Sequence, residues 1–200
     1  MVDYVEETIP TPPDSGGRGG VRPNLWGRLV AYGLLVPLIV FFGWGLVKAY
    51  SGPVESGLAP DFTITTFEGE AYTLSELRGQ VVVINFWASW CDPCREEAAY
   101  LETTWRKYAD QGVLFIGVDY VDTERQALAY IEEFDITYPN GPDVGTRISD
   151  AFRIQGVQET FFVAKNGELR GVHIGPLVPP QLDEKIEELL AEPFAGGSEW

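Results

Sequence analysis

The only two cysteines of the chain, Cys91 and Cys94, are separated by two residues, and this spacing is the strongest chemical signal in the sequence. They lie where an apolar, strand-like run gives way to a helical pattern, which is typical of a redox-active cysteine pair. Unpaired backbone N–H groups and the helix dipole stabilise a thiolate at a helix N-terminus. The second thiol lies one helical turn further on, close enough to form a disulfide with the first. The sequence therefore predicts thiol–disulfide chemistry at Cys91 and Cys94.

Two other uses of a cysteine pair fit this chain less well. A structural zinc site needs four ligands, usually from two cysteine pairs or from two cysteines with two histidines. This chain has one histidine, His173, and no second cysteine pair. A structural disulfide stabilises a fold most when it closes a long loop, and a two-residue spacer closes a short one.

The segments on either side of the cysteines must position them. Residues 81–86 form a continuous apolar run rich in β-branched side chains, which predicts a buried central strand. A stripe at helical spacing then begins at Cys94 and continues through Ala98, Leu101, Trp105 and Tyr108. This stripe predicts a helix that ends at Gly112 and has Cys94 on its buried face.

The rest of the sequence between about residues 58 and 190 alternates between strand and helix patterns. These patterns predict a hairpin over 62–74, a helical turn at 75–79, a strand at 113–118, a helix capped by Thr123, a loop around 139–142, a short helix at 147–152, a hairpin over 160–174 and a final helix around 182–190. The helix after Thr123 is expected to have Ala127, Leu128, Ile131 and Phe134 on one face. The order of elements indicates an α/β fold with a mixed central sheet flanked by helices.

An uncharged, largely apolar stretch precedes this domain. Residues 29–47 would extend about 28 Å as a helix, which is enough to cross the hydrocarbon core of a membrane. Three arginines come before the stretch, whereas Lys48 is the only basic residue in the thirty that follow it. The positive-inside rule then predicts a single-pass protein of the cell membrane with a cytoplasmic N-terminus and an extracytoplasmic C-terminal domain. A cleavable signal peptide ending near residues 49–51 is the alternative, and either one exports the domain.

The predicted organisation has five parts. These are a disordered cytoplasmic tail at 1–24, a transmembrane anchor at 25–48, a linker at 49–57, a folded domain at 58–192 and a flexible tail at 193–200. The formal net charge is −16, and because residues 1–48 are neutral overall, all of it falls on residues 49–200. Such an acidic domain is not expected to bind nucleic acid.

Five segments connect this sequence to a known group of proteins. They are Ala59-Pro60-Asp61-Phe62, residues 85–94 (Asn-Phe-Trp-Ala-Ser-Trp-Cys-Asp-Pro-Cys), Gly117-Val118-Asp119-Tyr120, Glu159-Thr160-Phe161-Phe162 and His173-Ile174-Gly175-Pro176-Leu177. Over about residues 58–190 the chain resembles the membrane-anchored thiol–disulfide oxidoreductases of the TlpA, ResA and CcmG (DsbE) type. The resemblance implies a thioredoxin-like fold with an N-terminal hairpin extension.

The resemblance also suggests roles for the residues around the cysteines. Cys91 would attack a substrate disulfide as the nucleophile, and Cys94 would resolve the mixed disulfide that forms. Pro93 fixes the backbone of the first helical turn. Trp90 is expected either to shield the cysteines from solvent or to fill the core. Glu97 corresponds to an active-site glutamate that tunes the cysteine pKa values and assists proton transfer, and an exposed helix acid is the alternative.

The chain departs from the family pattern at one position. The family has a cis-proline beside the disulfide, directly before the Glu-Thr-Phe segment, and here that position is Gln158. A cis peptide without proline costs about 2.5–4 kcal/mol, so a trans bond or a local rearrangement is expected at Gln158. Glu159 and Thr160, which follow it, are included as supporting residues of the site.

The expected function is a disulfide reductase that needs no cofactor and no metal. By resemblance, its substrates are disulfides of exported proteins, possible examples being the haem-ligating cysteines of apocytochrome c, and a membrane thiol carrier supplies the electrons. Asp92 and Glu97 are expected to disfavour the thiolate, which suits a reductant. Two alternatives remain open. One is a copper-binding assembly factor of the Sco kind using Cys91, Cys94 and His173, and the other is a thiol peroxidase, although Ala88 replaces the threonine of that motif.

Overall fold

A computed structural model describes residues 24–49 and 52–194. The chain divides into two compact units, Met1–Tyr50 and Ser51–Trp200. The predicted tail up to residue 23, the signal-peptide cleavage site at 50–51 and the predicted tail from residue 195 onward lie outside the described residues.

Within the first unit, the described residues form helix α1 at Leu25–Ala49. Residues Leu25–Gly45 have a mean hydropathy of 1.9, so by length and composition this helix can cross a membrane once. Pro37 lies inside it. Proline is tolerated in membrane helices more often than in soluble ones.

The second unit alternates strands and helices. Its elements are β1 (Gly57–Leu58), β2 (Thr63–Thr65), β3 (Ala71–Thr73), β4 (Val81–Trp87), α2 (Asp92–Tyr108), β5 (Val113–Asp119), α3 (Glu124–Glu133), β6 (Asn140–Pro142), α4 (Arg147–Phe152), β7 (Glu159–Val163), β8 (Glu168–Ile174) and α5 (Pro179–Ala191). Single 3₁₀ turns lie at Leu74–Leu77, Ala109–Gln111 and Val144–Thr146.

Six strands form one mixed sheet in the order β1-β8-β7-β4-β5-β6. Strand β4 pairs in parallel with β5 and antiparallel with β7, and β5 pairs in parallel with β6. Strands β2 and β3 form a separate hairpin. The predicted thioredoxin-like α/β architecture with its N-terminal hairpin is therefore confirmed.

Both faces of β4 are buried, because alternate side chains enter two hydrophobic clusters. Val81, Val83 and Trp87 join the cluster that contains both cysteines and the apolar faces of α2 and α5. Val82, Ile84 and Phe86 join the opposite cluster, which contains side chains of the hairpin and α4. The sheet thus holds the end of β4, and the cysteines that follow it, between two packed layers.

Three local predictions were wrong. Helix α2 ends at Tyr108, and a 3₁₀ turn carries the chain on to Gly112 in a left-handed conformation. In α3, Ala127 is buried as predicted, but Leu128 is 41% exposed and the unpredicted Tyr130 is buried instead. Residues 140–142, expected to be a loop, form the edge strand β6, where Gly141 packs so closely on the backbone of Thr65 that a Cβ would overlap it.

Candidate redox site at the N-terminus of helix α2

The turn between β4 and α2 positions Cys91. Cys91 is the N-cap residue of α2, with extended backbone angles, and its Sγ accepts a hydrogen bond of 3.2 Å from the backbone N–H of Cys94. Pro93 occupies the first helical turn, where a missing N–H leaves no bond unmade. Cys91 and Cys94 form a disulfide with their Cα atoms 5.3 Å apart. The local sequence thus brings the two sulfurs together as the spacing predicted.

The two cysteines differ in depth. Cys91 is 6% exposed and Cys94 is 1% exposed. Behind Cys94, the Tyr130 hydroxyl donates a 2.9 Å hydrogen bond to the Cys94 carbonyl, and the Tyr130 ring stacks on Trp87 at 4.4 Å. A substrate therefore meets Cys91 first, which suits Cys91 as the attacking sulfur and Cys94 as the resolving one.

Trp90 lies at the surface beside the cysteines rather than in the core. Its side chain is 55% exposed, and its indole N–H points to the backbone carbonyl of Val121 at 3.4 Å. Core filling, one of the two roles expected for Trp90, is therefore wrong. The side chain instead gives the surface next to Cys91 an exposed aromatic face.

Glu97 is buried one turn beyond Cys94, so the alternative of an exposed helix acid is wrong. Its Oε2 accepts a 3.0 Å hydrogen bond from the backbone N–H of Leu177, and its Oε1 accepts one of 3.3 Å from Asn85 Nδ2. Burial raises the pKa of the Glu97 carboxyl, and its polar contacts and the nearby His173 offset this only in part. Glu97 therefore holds its proton more readily than an exposed glutamate does.

Gln158 has an unusual backbone conformation for a residue other than glycine. Its φ angle is +69°, and none of the described peptide bonds is cis. Its N–H donates to the Phe86 carbonyl at 2.9 Å, and its carbonyl accepts from the Gly175 N–H at 3.0 Å. Of the two alternatives predicted here, a trans bond or a local rearrangement, the trans bond is confirmed.

The Gln158 side chain is also buried, and its amide interacts favourably with the Glu97 carboxylate. Within the part of the chain that the structure describes, its Nε2 makes no regular hydrogen bond. A strained backbone and an unsatisfied buried amide at one residue are typical of functional sites. The structure therefore places Gln158 next to the predicted proton-transfer group.

Thr160 and Glu159 support this arrangement from β7. Thr160 Oγ1 accepts a 2.9 Å hydrogen bond from Asn85 Nδ2, the same amide that contacts Glu97. Glu159 is buried, and its Oε1 accepts the backbone N–H groups of Gln155 and Gly156 at 2.6 and 3.2 Å. Burial raises the pKa of Glu159. Thr160 thus helps to orient the Asn85 amide that binds Glu97. Glu159 instead binds the backbone of the loop that leads to Gln158.

No role was predicted for Asn85, although a polar residue inside an otherwise apolar, buried strand indicates a buried hydrogen-bond donor or acceptor. No role was predicted either for an acidic pair, Asp119 and Asp122, at the end of β5. Asp122 accepts hydrogen bonds from the N–H and hydroxyl of Ser89, two residues before Cys91. Burial and the adjacent Asp122 raise the pKa of Asp119 to about 8.

The copper alternative required His173 to join the two cysteines. His173 lies on β8 opposite Thr160, and its Nε2 is 3.2 Å from the Pro176 carbonyl. Across residues 24–49 and 52–194, no three His, Cys, Asp or Glu side chains are grouped so that they could hold a metal ion. The reactive feature that the structure shows at this site is the disulfide.

Comparisons with known proteins agree with this chemistry. Residues 57–172 match the model of the AhpC/TSA family. Thioredoxin-like protein YneN of Bacillus subtilis is 30% identical over 161 residues, which cover 77% of this chain and 94% of that protein. Thiol-disulfide oxidoreductase ResA of Bacillus cereus is 30% identical over 131 residues, covering 66% of this chain and 76% of that protein.

A solved structure has a similar fold. A thiol:disulfide interchange protein of the thioredoxin family from Chlorobium tepidum superposes with a TM-score of 0.63 and 25% sequence identity. The superposition covers 70% of this chain and 99% of that protein.

Proposed function

Because the chain belongs to the AhpC/TSA family and, within it, to the thiol–disulfide oxidoreductases of the ResA type, we propose that it reduces disulfides of exported proteins through Cys91 and Cys94. The observation that carries this proposal is the Cys91–Cys94 disulfide at the N-terminus of α2, with the buried Glu97 one turn further along the helix. The direction, reduction rather than oxidation, is part of the proposal.

The reaction proceeds in two exchanges. In the reduced protein the Cys91 thiolate attacks one sulfur of a substrate disulfide, the substrate S–S bond breaks, and the released substrate sulfur takes up a proton. Cys94 then loses its proton and attacks Cys91 Sγ, which breaks the mixed disulfide and releases the second substrate thiol. The substrate gains two electrons and two protons, and the Cys91–Cys94 pair becomes oxidised. An external dithiol returns the pair to its reduced state.

Glu97 is the group that we propose takes the Cys94 proton. It lies on the same buried face of α2, one turn beyond Cys94, and burial raises its pKa above that of an exposed glutamate. A base is most effective when its pKa is close to that of the group it serves. Asn85 and the Leu177 N–H hold the carboxylate in place, and the nearby Gln158 amide offsets part of the effect of burial on the Glu97 pKa.

We further propose where the protein acts and on what. Helix α1 supports a single membrane anchor, and the arginines before it support a cytoplasmic N-terminus with the redox domain on the outside. In this organisation residues 1–24 are a tail, 49–57 a linker and 58–192 the working domain. Apocytochrome c with oxidised haem-ligating cysteines is the proposed substrate, and a membrane thiol carrier is the proposed electron donor.

The test uses the full-length chain in detergent micelles. The Cys91–Cys94 reduction potential is expected near or below about −220 mV, in the range of thioredoxin-like reductants, whereas about −120 mV would indicate an oxidant. With a disulfide-bonded apocytochrome c peptide, C94S should accumulate a mixed disulfide and C91S should not. Hydrogen peroxide turnover with a thiol donor would favour a peroxidase instead. Equal trapping by both variants would contradict the assigned roles.

A further inference from the structure

The segment that delivers Cys91 is tied to the loop after β5. We define residues 88–91 as the redox loop. Ser89 donates its N–H to Asp122 Oδ2 at 2.5 Å and its hydroxyl to Asp122 Oδ1 at 2.8 Å. Both oxygens of one carboxylate thus bind one residue of the redox loop, across 33 positions of sequence.

Two weaker contacts flank this double hydrogen bond. Tyr120 donates its N–H to the Trp87 carbonyl at 2.8 Å, and the Trp90 indole N–H points to the Val121 carbonyl at 3.4 Å. Val121 itself has a positive φ of 51°. Because such a backbone costs energy for a β-branched residue, the surrounding contacts must fix this loop. Asp122 is the only residue of these contacts that carries a charge.

Behind Asp122 lies a second carboxyl group. Asp119 is 2% exposed, and its Oδ1 has no hydrogen-bond partner among the described residues. Asp119 and Asp122 line the same cavity, and burial together with the neighbouring Asp122 raises the pKa of Asp119 to about 8. Asp119 therefore keeps its proton at neutral pH.

Resting on the proposed function, we propose that Asp122, supported by Asp119, is a positioning residue that fixes the redox loop for attack at Cys91. Ser89 carries the effect, because its N–H and hydroxyl are both bound two residues before the reactive sulfur. When Asp119 loses its proton, two adjacent carboxylates repel each other, and the hold of Asp122 on Ser89 weakens. The reactivity of the disulfide should then change with a titration that does not belong to either cysteine.

The other charged groups around the acidic pair are already engaged. Arg95 of α2 points to the Ser89 carbonyl at 3.5 Å and forms an ion pair with Glu133 of α3. Asp143, which lines the same cavity of about 440 Å³ as the acidic pair, accepts the N–H groups at the start of α4. The charge that acts on Asp119 is therefore that of Asp122.

The first experiment uses the oxidised full-length chain in detergent micelles, where no thiol can titrate. The Ser89 amide resonance is followed by ¹⁵N NMR from pH 6 to pH 10. We expect an inflection near pH 8 in the wild type and none in D119N. A wild type without an inflection, or an unchanged inflection in D119N, would overturn the proposal.

The second experiment measures the rate at which dithiothreitol reduces the disulfide at pH 7. We expect D122A to react about tenfold more slowly, because the redox loop loses its fixed approach. D122N keeps an oxygen acceptor for the Ser89 N–H and should recover most of that rate. D110N, which changes an exposed carboxylate at the far end of α2, is the matched control.

The outcomes separate this proposal from the proposed function. Suppose that the wild type reduces the apocytochrome c peptide, but dithiothreitol reduces D122A as fast as the wild type and the Ser89 amide does not titrate. Only the positioning role of Asp122 then fails. If the wild type does not reduce the peptide, the proposed function fails, and the amide titration still decides whether the acidic pair controls the redox loop. If D122A does not fold, the Ser89 amide titrations of the wild type and D119N alone decide whether the positioning role holds.

Discussion

Replacing Asp119 by asparagine should stabilise the protein at neutral and alkaline pH. Asp119 is buried at the end of β5, and burial together with Asp122 raises its pKa from 3.8 to about 8. Asparagine has nearly the same shape, can donate a hydrogen bond to Asp122 and never ionises. The substitution therefore removes a buried titratable group while keeping the contact that the neutral acid makes.

The sign and size of the effect follow from the two pKa values. Between pH 4 and pH 8 the folded protein holds a proton on Asp119 that the unfolded chain has lost, so this group's stabilising contribution is present below about pH 4 and is lost as pH rises through about 8. Each pKa unit corresponds to about 1.4 kcal/mol, so the shift from 3.8 to about 8 sets a ceiling of about 6 kcal/mol. Since the cavity beside Asp119 admits solvent, we expect about 2–3 kcal/mol at pH 8.

Urea unfolding of the full-length chain in a non-ionic detergent, measured from pH 4 to pH 9, gives the required comparison. The free energy of unfolding of D119N should exceed that of the wild type by an amount that grows with pH, at no more than about 1.4 kcal/mol per unit. D110N should show no such growth, because Asp110 is exposed. Parallel curves for D119N and the wild type would refute the assignment of a buried, protonated Asp119.

Three further substitutions test other parts of the site and its frame. E97Q should slow the resolution of the mixed disulfide about 100-fold at pH 7, seen as its accumulation after rapid mixing, and an unchanged rate would exclude the proton-transfer role. Q158P should lower the free energy of unfolding by about 3 kcal/mol, since proline cannot adopt φ +69° in a trans chain or donate to the Phe86 carbonyl. G117A should cost about 2–3 kcal/mol in urea unfolding, because its Cβ would overlap Asn140, and wild-type stability would show that β6 can move away.

The features that the sequence predicted correctly are determined by residues that lie close together along the chain. The strand, the turn and the first helical turn around Cys91 follow from an apolar run, an N-capping position and Pro93, all within about a dozen residues. The buried face of α2 follows from the spacing of its apolar residues, and this placed Cys94 correctly.

What the sequence did not predict depends on partners that are distant along the chain. The spacing predicted that Glu97 lies near Cys94, but it did not predict that the carboxyl is buried. There it accepts a hydrogen bond from the backbone N–H of Leu177, 80 positions further along the chain. Residues 140–142 contain glycine and proline, which disfavour strands locally, and pairing with β5 overrides that preference. The contact of Ser89 with Asp122 likewise joins two loops that have no shared local pattern.

The edges of the six-stranded sheet limit how this domain can pair with another polypeptide. The outer strands are β1, with two residues, and β6, with three, and β6 ends in a proline. An extended polypeptide finds few free backbone groups at either edge, so it cannot add itself to the sheet as a further strand. Contact between this domain and an extended polypeptide is therefore not expected to grow into a shared sheet.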